Sequence, residues 1–227
     1  MSERPRCRLC KSASTQRIVI DDKVAAKTYI RCDDCGFIGV SPRCFPSKNE
    51  EKARYLLHSN NEESRGYREY LERFIDQALS PYLEPGSSVL DFGSGPTEQP
   101  LLRYLMEARG NSCSIYDPFF APGRAWRRRK FSAIVLHEVI EHLRRPRQSL
   151  FYLLGRLSPG GILALRTRFV PGTIQDFIPW WYRMDSTYLG FFSPESLMLL
   201  LRPAGLELMR TITPDIIVFR ASTSMPR

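Results

Sequence analysis

The sequence predicts an α/β protein, a doubly wound and mostly parallel sheet with a small N-terminal ribbon attached. Two patterns predict it. From Ser88 onward, short apolar runs alternate with amphipathic helical stretches, which is the βαβ signature of a parallel sheet. Ahead of them, two Cys-x-x-Cys pairs, Cys7/Cys10 and Cys32/Cys35, stand among short β-like runs. A chain of 227 residues accommodates one sizeable α/β domain plus one such module.

Composition removes several classes. Apolar residues at 43% and charged residues at 25% are ordinary for a soluble globular chain and exclude a disordered or collagen-like one. No apolar run approaches the ~20 residues that span a bilayer. The opening MSERPRCRLC lacks the apolar stretch of a secretory signal, so the expectation is a cytoplasmic protein with no membrane partner. In a reducing compartment the paired cysteines read as metal ligands rather than disulfides. The net charge of +9 permits anionic partners and concentrates in RAWRRRK (124 to 130) and in Arg144, Arg145 and Arg147. Charge runs of this kind read first as a solvated, generally anion-attracting face and second as a nucleic-acid site.

In chain order, residues 1–46 form the ribbon, with strands at QRIVI (16 to 20), KTYIR (27 to 31) and FIGV (37 to 40). Its spacing, C-x2-C-x21-C-x2-C, suits a tetrahedral four-thiolate zinc site on Cys7, Cys10, Cys32 and Cys35. Four protein ligands leave no open position, so the zinc is structural. The ligands leave the module's role open between binding RNA, covering the active site and mediating dimerisation. Cys44 and Cys113 read as packing residues.

Residues 47–86 form a helical linker or lid. Pro42 and Pro46 mark a turn, and a helical run from about Asn49 aligns Tyr67, Leu71, Phe74, Ile75 and Leu79 on one face. Residues 87–227 form the α/β domain. Strand SVLDF leads through a glycine loop, with Thr97 as candidate N-cap, into helix LLRYLMEARG and strand SCSIYD. Strand FSAIVLH (131 to 137), a helix over 146–157 and strand GGILALRT (160 to 167) follow. Helix SPESLMLLLRPAG has Ser193 as its N-cap and Gly205 past its end, and LELMRTIT and DIIVFR close the chain as a strand pair.

Chemistry concentrates in VLDFGSGP (89 to 96): a strand ending in Asp91, then Gly93 and Gly95 before a helix, where doubly wound sheets bind ligands. Glycines let the backbone approach a ligand closely and adopt positive φ. The third glycine of a dinucleotide site is absent; Glu98 stands there and would repel a pyrophosphate. The next strand ends in Asp117, placed to accept two hydrogen bonds from ribose hydroxyls. Together they suggest a nucleoside ligand without phosphates; the plain alternative is a tight turn followed by a surface aspartate.

At this point the chain resembles the S-adenosylmethionine (SAM)-dependent methyltransferase superfamily, class I, in its bacterial members with an N-terminal zinc ribbon. The motifs are the two CxxC pairs, VLDFGSGP, YDPFF (116 to 120), HEVIEHL (137 to 143), LSPGGILAL (157 to 165) and WWYRMDSTYLGFFSPESL (180 to 197). The resemblance implies a Rossmann-like methyltransferase sheet binding SAM. By position, Asp91, Gly93 and Gly95 contact the methionine part, Asp117 the ribose, and the segment His137 to Val139 lines the cofactor near its sulfonium. Tyr67 closes over it. Two departures stand out. Only about thirteen residues separate Asp117 from Phe131, so the usual helix and third strand are shortened or missing. Where relatives often carry Asp-x-Thr-His, this chain has Asp185, Ser186, Thr187 and Tyr188.

HEVIEH is not a zinc-protease motif, because its histidines are five apart and fall on different helix faces. As a strand end entering a helix, it sets His137, Glu138, Glu141 and His142 around the sheet's carboxyl edge. One or two of them serve as base or acceptor ligand and the others as helix-start carboxylates. Methyl transfer is an in-line displacement, so placement supplies much of the catalysis and a base is needed only where the acceptor loses a proton. No Asn/Asp-Pro-Pro-Tyr run occupies the HEVI position and no Pro-Cys nucleophile follows a strand, which disfavours adenine amino-methylation by that route and covalent cytosine chemistry. In PWWYRMDSTY, Asp185 and Tyr188 are candidates for acceptor contact, and Trp180 and Trp181 suit either core packing or a lid. The leading function is a methyltransferase for a small-molecule or carrier-bound acceptor. The alternatives are an RNA methyltransferase whose ribbon and RAWRRRK run hold the nucleic acid, and a binding module without catalysis.

Overall fold

Runs rich in aliphatic and β-branched residues pair into a six-stranded sheet in the computed structural model, which describes residues 5–21, 26–57 and 65–223. The ribbon strands are β1 (Thr15–Ile20), β2 (Lys27–Cys32) and β3 (Ile38–Val40), followed by helices α1 (Lys48–Leu56) and α2 (Arg65–Ala78). The segment 58–64, which the sequence places within one helical run, lies outside the described residues. The α/β domain runs β4 (Ser88–Phe92), α3 (Leu101–Ala108), β5 (Ser112–Tyr116), β6 (Phe131–His137), α4 (Pro146–Leu154), β7 (Leu157–Arg166), α5 (Ile174–Phe177), β8 (Gly190–Phe191), α6 (Pro194–Leu201), β9 (Leu206–Ile212) and β10 (Ile216–Ala221).

The strand order is β5-β4-β6-β7-β10-β9, parallel from β5 to β7, with β10 antiparallel to both its neighbours. Alternate side chains feed two apolar layers. Leu90, Ile134, Leu136, Leu163 and Leu165 pack with Leu150 and Leu153 of α4 and Leu197 and Leu200 of α6. On the other face Val89, Ala133, Val135, Ile162 and Ala164 pack with α2 and α3. A sheet covered on both sides explains why β6 and β7 read as continuous apolar runs rather than alternating ones.

Between Asp117 and Phe131 the described residues form a single 3-10 turn, Ala125–Arg128, and among them no helix or strand extends the sheet past β5. Trp126, 4% exposed, fills that side, with its ring 5.7 Å from Phe92 and 5.1 Å from Tyr116.

Three local expectations are corrected. Thr97 does not cap α3: the helix starts at Leu101 behind Pro100, with no side-chain cap. The reason is steric, since Gln99 precedes a proline and is pushed out of the helical region. HEVIEH does not run into an α-helix; Ile140–His142 makes one 3-10 turn. The helix expected over 146–157 stops at Leu154, and β7 begins at Leu157. By contrast, Ser193 caps α6 through a reciprocal box with Ser196, and Gly205 beyond it takes φ +83°.

The ribbon does not stand apart from the domain. Its sheet has the order β1-β2-β3-β8, so its last strand comes from the α/β domain through Ile38↔Phe191 and Gly39↔Gly190. Cys7, Leu9, Cys32, Cys35 and Phe37 share one apolar cluster with Phe192 and Leu197. Among the described residues, no helix is long and apolar enough to cross a membrane.

Candidate active site

The carboxyl ends of β4, β5 and β6 open into a cavity of about 510 Å³, lined also by residues of α1 and α2. Asp91, Gly93, Gly95, Asp117, Tyr67, His137, Glu138, Val139 and Tyr188 all line it. Gly93 and Gly95 sit at φ +88° and +81°. The turn is held by Gly93 N–H and Ser94 N–H donating to the Tyr116 carbonyl, at 2.7 and 3.1 Å. A Cβ on Gly93 would stand 2.5 Å from Val139 Cγ2. That close approach ties the glycine loop of β4 to the end of β6.

Two carboxylates flank the turn. Asp117 accepts from Gly95 N–H at 3.2 Å and from Phe119 and Phe120 N–H at 2.8 and 3.1 Å, which pins the carboxylate at the cavity wall. Asp91 is 4% exposed. Burial, and then the charge of Asp117, push its carboxyl up to about 7. A buried acid beside a second acid favours a ligand carrying positive charge, and both would repel a pyrophosphate.

Deeper in, Glu138 adopts φ +55°, a left-handed conformation that costs a non-glycine residue free energy and that clusters at functional sites. Its N–H donates to the Arg166 carbonyl at 2.9 Å. Its carboxylate accepts from Tyr70 Oη and Tyr182 Oη, each at 2.8 Å, and lies 3.7 Å from Arg166 Nε. Arg166 itself pairs with Asp215 at 2.9 Å and lies over the Tyr70 ring at 3.5 Å. His137 is wedged between the Tyr70 and Phe74 rings, at 5.2 and 4.9 Å. Burial and the nearby Arg166 charge lower its pKa to about 3, so the imidazole is neutral at physiological pH. The remaining wall is aromatic: the Tyr55 and Tyr188 rings both meet His142, at 5.2 and 4.9 Å.

Asp185 is not among the lining residues. Its carboxylate accepts from Arg54 at 2.7 Å and from Thr187 N–H and Oγ1 at 2.8 and 2.6 Å. Burial raises its pKa, but the Thr187 bonds and the Arg54 charge outweigh that and leave it lowered. The residue braces the loop that carries Tyr188. Trp180 packs on Phe177 and Phe191, whereas Trp181 is 65% exposed. Sequence reading passed over Tyr55, Tyr70, Tyr182 and Arg166. Tyr70 follows Tyr67 by three and precedes Phe74 by four on the helix face already identified. Arg166 is a charge at the end of an apolar strand, the same signal that marks Asp91.

The four ribbon cysteines come together, with their sulfurs all within 4.8 Å of one another. Cys7 and Cys35 are 3.8 Å apart, and Cys10 and Cys32 are 3.5 Å apart. Tetrahedral zinc with ~2.3 Å bonds to sulfur needs sulfurs about 3.8 Å apart, so the cluster fits that ion. Val40 N–H donates to the Leu189 carbonyl at 2.9 Å and Lys27 Nζ to the Asp185 carbonyl at 3.0 Å, so the ribbon also supports the loop bearing Tyr188.

The basic run starts close to the cavity wall, just after the Asp117–Ala121 bridge, and ends away from it. Lys130 precedes the first residue of β6 and donates to the Gly155 carbonyl just ahead of β7. It is therefore at the amino edge of the sheet, a strand of seven residues, about 20 Å, from the cavity.

Comparison with known proteins agrees with this geometry. A protein-family model described as "Methyltransferase domain" matches residues 64–211. No curated protein matches the sequence significantly. Among solved structures, an O-methyltransferase family protein from Burkholderia thailandensis is similar, with TM-score 0.54 and 15% identity, over 77% of this chain and 63% of that one. This chain thus spans under two thirds of that relative's length. A chain of the Haloferax volcanii complex between the Trm112 methyltransferase activator and a protein described as a methyltransferase has TM-score 0.52 and 14% identity, over 78% of this chain and 100% of that one. At these identities the structural likeness speaks to fold, while the family match covers more than half of the sequence: the chain belongs to the methyltransferase domain family and has the class I fold.

Proposed function

We propose that the cavity binds S-adenosylmethionine and serves methyl transfer to a small or carrier-bound acceptor seated against Glu138 and Tyr188. The observation that carries this reading is the left-handed Gly93–Gly95 turn between two buried acidic strand ends, Asp91 and Asp117. When bound, SAM supplies an electrophilic methyl group on a cationic sulfonium. Asp117 is the candidate for the ribose hydroxyls, Asp91 and the glycine turn for the methionine part, and Tyr67 and Val139 for the walls. Glu138 is the candidate acceptor ligand, and base where the acceptor loses a proton; neutral His137 and Tyr188 bound the same space. Its Arg54 and Thr187 contacts, and its absence from the cavity lining, make Asp185 a positioning residue rather than a catalytic one. The aromatic lining contributed by α1 and α2, Tyr55, Tyr67 and Tyr70, favours a small acceptor. For an RNA acceptor held by the basic run, Lys130 at the amino edge of the sheet offers no contact with the cavity. For the ribbon, we infer structural zinc on Cys7, Cys10, Cys32 and Cys35.

Calorimetry with SAM and S-adenosylhomocysteine tests the reading. Binding with Kd in the micromolar range, weakened about 10-fold or more in Asp117→Ala, is expected for loss of a charge-assisted bidentate contact. No binding by the wild-type protein, or equal binding by the variant, overturns it.

A further inference from the structure

We propose that Glu141 is held as a neutral carboxylic acid and, through Tyr182, fixes Glu138 as the single anion of the pair facing the cavity. The inference deepens the reading of Glu138 as acceptor ligand and rests on it for its catalytic meaning, though not for its chemistry.

Counting protons leads to it. Tyr182 Oη contacts both Glu138 Oε2, at 2.8 Å, and Glu141 Oε1. A phenol has one hydrogen and donates to one acceptor. The other contact therefore needs a hydrogen on a carboxyl group. Two carboxylates sharing one buried phenol would leave one contact between bare oxygens, and paired carboxyls in such sites do not both ionise.

The surroundings decide which carboxyl carries the proton. Glu138 has a second donor in Tyr70 Oη at 2.8 Å, the Arg166 guanidinium at 3.7 Å, and a side chain 30% exposed to solvent. Glu141 is fully buried, and its Oε2 has no partner among the described residues. The Tyr182 hydroxyl is shared by both groups, whereas the second phenol, the guanidinium and the solvent exposure are on Glu138 alone. Burial, and then the charge of Glu138, raise the pKa of Glu141 well above the ordinary carboxylate range. The other titratable groups packed around the pair include Tyr188, whose ring is 4.5 Å from that of Tyr182, His142, whose ring packs on Tyr55 and Tyr188, Tyr55 itself, and Asp215, the last already paired with Arg166. Among the described residues, no cation forms an ion pair with Glu141.

The line Glu141 O–H to Tyr182 Oη, and Tyr182 O–H to Glu138, holds a carboxylate whose backbone sits at an unfavourable φ. Tyr182 and Glu141 are positioning residues, acting through Glu138. The neighbouring backbone joins in, since Leu189 N–H donates to the Glu141 carbonyl at 2.7 Å and so connects the Tyr188 loop to the same turn.

Carbon-13 labelling of glutamate Cδ in the whole, ligand-free protein reads the protonation state directly by NMR, and Asp91 is invisible in such a sample. At about pH 8 one glutamate resonance is expected at the protonated position while ordinary glutamates are ionised. Glu141→Gln, a neutral amide of the same shape, should remove that resonance and keep the fold. Tyr182→Phe should shift it, because the Glu141 hydroxyl loses its acceptor. A wild-type spectrum with every glutamate ionised, a resonance that survives Glu141→Gln, or one indifferent to Tyr182→Phe overturns the proposal. Should Glu141→Gln fail to fold, Glu138→Gln decides: the protonated resonance should persist in it, and its loss there overturns the proposal. None of these outcomes depends on SAM binding, which calorimetry tests separately.

Discussion

Gly93 and Val139 are packed so closely that a Cβ atom on the glycine would lie 2.5 Å from Cγ2 of the valine, at a backbone angle of φ +88°. The contact locks the first βα turn against the end of the central strand. It also makes two costs separable, one steric and one conformational.

Gly93→Ala should destabilise the protein by about 2–4 kcal/mol, summing a left-handed alanine and an overpacked contact, and should abolish SAM binding. Adding Val139→Ala should recover the steric part and leave the conformational part. Urea denaturation of the two single variants and the double variant measures both. Equal stability of Gly93→Ala and wild type would contradict the packing described.

The Asp91 carboxyl has a pKa of about 7 when folded against ~3.9 in an unfolded chain. Because the folded value is the higher, the stability this group contributes is complete below about pH 4 and is lost as pH rises through about 7. The full span corresponds to roughly 4 kcal/mol. Urea midpoints of the ligand-free protein should therefore fall over that window, and Asp91→Asn should flatten the dependence. A cationic ligand reverses the preference, so SAM should bind more tightly at about pH 8 than at about pH 6.

Arg166 and Asp215 are both largely buried and meet at 2.9 Å. Asp215→Ala leaves the guanidinium without its close partner and should cost about 3–5 kcal/mol. Arg166→Met combined with Asp215→Ala should recover much of that loss, while leaving Glu138 with only its phenolic donors. Denaturation midpoints test the first statement. Methyl transfer by the folded double variant, slower than wild type, tests the second.

Elemental analysis should find one zinc per chain, and Cys32→Ser should lose it. Because the ribbon sheet includes β8 and backs the Tyr188 loop, the consequence should reach beyond the ribbon. A loss on the order of 5 kcal/mol, about 10–20 °C in Tm, is expected, together with weakened ligand binding. A metal-free variant as stable as wild type would remove zinc from the account.

Much of the molecule is written in local pattern. Alternating apolar runs, the Ser193 cap, the paired cysteines and an acidic residue at each of two strand ends are properties of neighbours in sequence. Near-neighbour sterics and hydrogen bonding produce them, so the βαβ order, the glycine turn and the set of four cysteines could be read directly. Where Pro100 prevents a helix start at Thr97, the signal was present and a stronger local rule prevailed. Tertiary structure decided what depends on distant partners. Tyr182 and Glu138 are 44 residues apart in the chain, and β3 and β8 are separated by most of the parallel sheet; no periodicity encodes such pairings. Asp185 points to Arg54 instead of the cavity because a buried carboxylate takes the nearest donors, and those are known only once α1 is in place. The sequence thus determines the glycine turn and the acidic strand ends at the first turn of a methyltransferase sheet, where the structure opens a cavity. Only the packed chain determines which carboxylate faces that pocket, because charge in a buried site is set by the sum of its neighbours.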